Sequence, residues 1–88
     1  MQIIRLSQFK RMWKKLPADV QARAAKAIRL LAADRSHPSL GLKRLQRLPQ
    51  YLEVRIDRDH RLICQMGSEV IVLVAVGRHE VLGRVRQK

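Results

Sequence analysis

From residue 70 to residue 76 the chain reads Val-Ile-Val-Leu-Val-Ala-Val, seven apolar residues with no polar break. Strand side chains alternate between faces, so such a run puts apolar groups on both faces and has to be buried on both. It therefore reads as a central strand, with helices covering one side. Gly67-Ser68 makes a tight hairpin turn into it and Gly77 ends it. Two further strands precede it. Leu52, Val54 and Ile56 alternate with Tyr51, Glu53 and Arg55, a half-buried pattern. Asp57 to Asp59 form a polar turn into a second strand from Arg61 to Met66. Spacers this short favour antiparallel neighbours.

The first half has helical spacing. Ser7 is placed to N-cap a helix on which Phe9, Met12, Trp13 and Leu16 share a face. Pro17 ends that helix and suits the first turn of the next. Val20, Ala24, Ala27, Ile28 and Leu31 form the second apolar stripe, with Arg23, Lys26 and Arg29 turned to water. Gln2 to Leu6 can open the chain as a short strand. Asp34 to Gly41 is rich in turn formers, and the basic segment from Leu42 to Leu48, closed by Pro49, has no clear period. The expected fold is α+β: one domain over residues 1–88, an N-terminal helical hairpin packed on a small antiparallel sheet.

Charge narrows the partners. Nineteen Lys and Arg against seven Asp and Glu give a net charge of +12 in 88 residues. Self-repulsion on that scale destabilises a compact chain, and a one-sign surface points to a polyanion, RNA first. Phe9, Trp13 and Tyr51 are the only aromatic residues, too few for a sheet that stacks successive bases. Cys64 is the single cysteine, so no internal disulfide can form, and it reads as a small core residue. His37, His60 and His79 lack metal-ligand spacing, and neither metal nor cofactor is expected. No run has the length of a membrane span and none reads as a secretion signal; the expectation is a cytoplasmic protein without a membrane partner.

If Leu52, Val54 and Ile56 face the helices, Glu53 and Arg55 face away, joined by Arg61 from the next strand. Arg78, His79 and Glu80 leave the last strand as a loop over the same face. RNA cleavage without metal needs a base for the 2′-hydroxyl, cations for the growing phosphorane charge and an acid for the leaving oxygen. Glu53 fits the base, Arg55 and Arg61 the clamp, and His79 the acid. The plainer interpretation is a solvated Glu53–Arg55 ion pair and an ordinary loop histidine. His60, beside Arg61 but pointing with Leu62 to the core edge, ranks second as acid. His37 reads as a residue that shapes its loop. Lys43, Arg44, Arg47 and Arg78 would hold phosphates flanking the scissile bond.

Several strings, in order, resemble the RelE/ParE superfamily of bacterial toxin–antitoxin toxins. They are Lys14-Lys15-Leu16-Pro17, His37-Pro38-Ser39-Leu40, Lys43-Arg44-Leu45, Val54-Arg55-Ile56-Asp57, Asp59-His60-Arg61-Leu62 and Val76-Gly77-Arg78-His79-Glu80-Val81. The resemblance implies a helical hairpin on an antiparallel sheet, a ribosome-dependent mRNA endoribonuclease that inhibits translation, and a cognate antitoxin that wraps it. It gives Arg61 the role of stabilising the transition state and sets Arg55 and His79 beside it; Glu53 as base follows from chemistry alone. The sequence departs from several members by carrying Leu82 where they have a tyrosine. The alternatives are a gyrase-poisoning toxin of the ParE type, with no nuclease activity, and an inactive RNA-binding relative.

Overall fold

The protein is described from a computed structural model over residues 1–78. Strand β1 (Gln2–Arg5) leads into helices α1 (Ser7–Lys14) and α2 (Ala18–Ala33), then a single 3-10 turn (Pro38–Leu40). Strands β2 (Lys43–Arg44), β3 (Leu52–Arg55), β4 (His60–Met66) and β5 (Val70–Arg78) complete the chain. The five strands form one sheet in the order β1-β5-β4-β3-β2, antiparallel except for β1, which runs parallel to β5. The expected α+β architecture is what forms. Two boundaries differ. Leu6, not Ser7, occupies the N-cap of α1, and Pro17 occupies that of α2. The segment without a clear period contributes the two-residue β2, too short for alternation to show.

The apolar run does lie inside the sheet, between β1 and β4, and the helices cover one face of it. Phe9, Ile28 and Leu31 from the helices and Leu40 from the 3-10 turn pack on Val54, Leu62, Cys64, Ile71, Leu73 and Val76. Burying a side chain of this kind contributes about 1.5–3 kcal/mol each.

Alternation in β5 is broken once. Cys64 pairs with Leu73 while Ile63 pairs with Ala75, so Val74 is an extra residue in a β-bulge. Val74 and Ala75 consequently belong to a second cluster, with Ile63 and Leu45, packed against Leu48, Tyr51 and Val72. This cluster corrects one expectation. The face away from the helices is not open; the loop from Leu45 to Tyr51 folds over part of it, closed by Leu45 N–H donating to Tyr51 O at 3.1 Å. The bulge also ends the pairing with β1 at Leu73, and α1 takes over that edge, Gln8 Nε2 donating to Val74 O at 3.1 Å.

Candidate functional site

Three of the residues expected to do chemistry, Glu53, Arg55 and Arg61, lie on the paired strands where β3 turns into β4. Register sets Arg55 opposite Arg61, Glu53 opposite Ile63 and Gly77 opposite Arg61 on the other side. Glu53 and Arg61 thus share the face away from the helices, as alternation requires. Their relation differs from the expected one. Glu53 is 5 % exposed, the one buried charged residue among those described. Its Oε1 lies 3.3 Å from Arg61 Nε and 4.0 Å from Lys43 Nζ, so its ion pair is with Arg61 and not with Arg55. The cover supplied by Leu45 to Tyr51 explains the burial, because it excludes water from a position that a bare sheet face would have solvated.

Arg61 is held at two of its three nitrogens. Nε meets Glu53, and Nη1 donates to the carbonyl oxygens of Asp57, Arg58 (3.3 Å) and His60 (2.9 Å) in the β3–β4 turn. No acceptor among the described residues takes Nη2. Gly77, opposite, has no side chain to cover the guanidinium. The result is a cation fixed in direction with one edge uncommitted, the arrangement that suits a phosphate or a phosphorane.

The turn itself is organised by Asp57. Its Oδ1 accepts from the backbone N–H groups of Asp59 and His60 and lies 2.9 Å from His60 Nδ1, while Oδ2 is 3.4 Å from Arg23 on α2. Burial works to raise its pKa, but the His60 side chain and the two N–H donors outweigh it and hold the carboxyl below its ordinary value. His60 is turned to the helix side, as expected, and serves this turn. Sequence reasoning missed Asp57, although an Asp three residues before a His in a polar turn is an Asx-turn signal.

The other residues are spread out. Arg55 passes over Gly41, where a Cβ would lie 3.4 Å from its Nε, and no carboxylate pairs with it among the described residues. Lys43 and Arg44 are exposed on β2, Arg44 donating to Pro49 O at 2.8 Å; Arg47 is exposed in the covering loop. Arg78 is not in a loop. The bulge extends β5, and Arg78 pairs with His60, which places it on the helix side of the sheet, away from Arg61. His79, Glu80 and Leu82 lie outside the described residues. His37 does shape its loop, its Nδ1 accepting from Ser39 N–H at 3.2 Å. Cys64 is fully buried, and burial pushes its thiol up to about 11, far from a nucleophile's range. No cluster of three metal-binding side chains occurs among the described residues, and none of their helices is long and apolar enough to cross a membrane.

A second feature lies on the helix side. An apolar groove of about 500 Å³ is floored by Ile3, Phe9, Trp13 and Ile28 and rimmed by Arg5, Lys10, Lys14 and Arg29. It borders β1, one edge strand of the sheet, where Ile4 is exposed, as is Leu6 just beyond it.

Fold and charge together define a small basic α+β domain, two helices on a five-stranded sheet. Residues 18–81 match the family model described as the ParE-like toxin domain, and the chain belongs to that family within the RelE/ParE superfamily of toxins. No curated protein sequence matches it. Solved structures share the fold at low identity. YafQ from E. coli strain BL21(DE3) is 16 % identical with a TM-score of 0.79, covering 92 % of this chain and 96 % of its own. The RelB–RelE antitoxin–toxin complex from Methanococcus jannaschii holds a chain 14 % identical, TM-score 0.74, covering 93 % and 96 %. The YoeB–YefM complex from Staphylococcus aureus gives 15 %, 0.75, 90 % and 97 %.

Proposed function

We propose that this chain is the toxin of a type II toxin–antitoxin module and acts on RNA, as a metal-independent endoribonuclease at the ribosome. The observation that carries the reading is Arg61, fixed by Glu53 and the β3–β4 turn with one guanidinium edge uncommitted. In this reaction the 2′-oxygen attacks the adjacent phosphorus and the bond to the 5′-oxygen breaks. A solvent water takes the proton from the 2′-hydroxyl and His79 delivers another to the 5′-oxygen, giving a 2′,3′-cyclic phosphate and a 5′-hydroxyl end. Arg61 stabilises the extra negative charge of the phosphorane. Glu53 acts through Arg61 as a positioning residue, since its Oε1 is already engaged. His79 retains the role of acid, and Lys43 and Arg47 hold flanking phosphates.

One observation favours the non-nuclease reading. Glu53, the carboxylate expected to serve as base, is buried and paired, which a gyrase-poisoning toxin would tolerate. Either way a cognate antitoxin is expected. The groove beside β1, apolar with a cationic rim, fits an acidic amphipathic segment, and the RelB–RelE and YoeB–YefM structures are toxin–antitoxin complexes.

Expressing the chain alone, with translation and DNA supercoiling followed together, tests the reading. Arrested translation and transcripts cut to 5′-hydroxyl ends are expected, and Arg61→Gln, with folding verified by circular dichroism, should abolish both. Undiminished cutting by Arg61→Gln, or loss of supercoiling with translation intact, would overturn it.

A further inference from the structure

Arg55 was expected beside Arg61 in the cleavage set, yet its surroundings are different ones. It lines a cleft of about 240 Å³ between α2 and the 3-10 turn, together with Arg23, Lys26, Leu30, Ser39 and Leu40. Arg23, Lys26 and Leu30 stand at helical spacing on one face of α2. Arg55 comes from the end of β3 and its guanidinium stem rests on Gly41. That glycine has φ +53°, and a Cβ there would lie 3.5 Å from Arg55 Cβ and 3.7 Å from its Cζ. A left-handed glycine therefore supplies the shelf that lets an arginine cross the strand edge at this point.

Three cations line this cleft, and only one of them is neutralised. Arg23 bonds Asp19 at 3.2 Å and Asp57 at 3.4 Å, whereas Lys26 and Arg55 have no carboxylate within ion-pair distance among the described residues. Like charges directed at one partly enclosed space repel, and an anion between them converts that repulsion into attraction. The donor set is a guanidinium fork and an ammonium point charge, the combination that binds a phosphate's oxygens. Leu30 and Ile56, both half-buried, offer apolar surface beside it for a ribose, and no aromatic lines it for stacking a base.

We infer that this cleft is a phosphate-binding site for the RNA backbone, in which Lys26 and Arg55 share one phosphate next to the one held at Arg61. The inference rests on the proposed action on RNA and deepens it. Continuity favours RNA over an acidic protein segment. Arg55 and Arg61 are direct cross-strand partners, so their Cα atoms are about 5 Å apart. A strand rounding the sheet end from Arg61 reaches the cleft with a neighbouring nucleotide. Arg55 is thus a binding residue that fixes register, and the bond-breaking charge falls to Arg61 alone.

The test is the salt dependence of binding to a labelled single-stranded RNA, read by fluorescence anisotropy with the full chain. Lys26→Gln and Arg55→Gln should each weaken binding roughly threefold to tenfold and lower the slope of log Kd against log salt by about 0.7. Because one phosphate is shared, the double variant should lose no more slope than either single one. Lys15→Gln, at the C-cap of α1 and not among the residues lining the cleft, should leave the slope unchanged. Single-turnover cutting of ribosome-bound mRNA should be lost in Arg61→Gln at any protein concentration, whereas in Arg55→Gln saturating protein should restore it. Wild-type slopes in Lys26→Gln and Arg55→Gln, or additive loss in the double variant, would overturn the shared phosphate. No RNA binding by the wild type would overturn the RNA reading itself, and melting curves of the exposed-site variants exclude unfolding as the cause.

Discussion

At the scale of residues, the Glu53–Arg61 pair couples stability to the site. Both side chains are largely buried, 6 % and 15 % exposed, so removing one partner leaves the other poorly solvated. The two removals are not equivalent. Without Arg61, Glu53 keeps only Lys43 at 4.0 Å, and we expect Arg61→Gln to cost about 3 kcal/mol. Without the Glu53 charge, Arg61 still donates to three turn carbonyls, and Glu53→Gln should cost about 1 kcal/mol. Urea denaturation of both single variants and the double one checks this: the double should cost less than the sum. Equal single costs with full additivity would mean that the pair is merely solvated. The sequence revealed that Glu53, Arg55 and Arg61 sit at one end of neighbouring strands, because alternation is local. It could not reveal which two would pair. That depends on Leu45 to Tyr51 folding over the face, a tertiary event, and on Gly41 leaving room for Arg55.

At the scale of elements, the β3–β4 turn is where one carboxylate organises a whole connection. Asp57 caps two backbone N–H groups, holds His60 and ties the turn to α2 through Arg23. Its pKa is depressed in the folded protein, so its contribution is fully present above the unfolded value of about 3.9 and is lost as pH falls through the lower folded value. Asp57→Asn should therefore be less stable than wild type at neutral pH, with the gap closing in acid. Denaturation at a series of pH values from about 7 down to 2 measures it; a gap that stays constant or widens in acid would contradict the assignment. Most elements of the fold were legible beforehand. The stripe Val20, Ala24, Ala27, Ile28, Leu31 is buried as periodicity required, and Pro17 separates the helices. What escaped was irregular: the bulge at Val74 has no marker in a run where every residue is apolar. By adding one residue to β5 it carried Arg78 into the strand and to the opposite side of the sheet from Arg61.

At the scale of the molecule, the charge of +12 acts over the whole body. The described residues span 29 × 28 × 23 Å, about the Debye length at 0.01 M salt, so in dilute buffer each of their cations feels nearly every other. At 0.1 M that length is about 10 Å and only neighbours still interact. The short-range pairs that hold the fold, Glu53–Arg61 and Asp57–His60, survive such screening because they are partly buried and in contact. Salt should accordingly stabilise this protein. Relief of about 1 kcal/mol of repulsion would raise Tm by ~4–8 °C in a domain of this size, most of it below 0.1 M. A polyanion should go further, because it binds the folded cationic surface specifically: at a hundredfold excess over Kd it adds about 2.7 kcal/mol. Thermal melts in NaCl and then with single-stranded RNA at low salt separate the two effects, since added salt should raise the first curve and erode the second. A Tm that falls with NaCl would show that attractive surface pairs dominate, and the account of the charge as a surface awaiting a polyanion would fail with it.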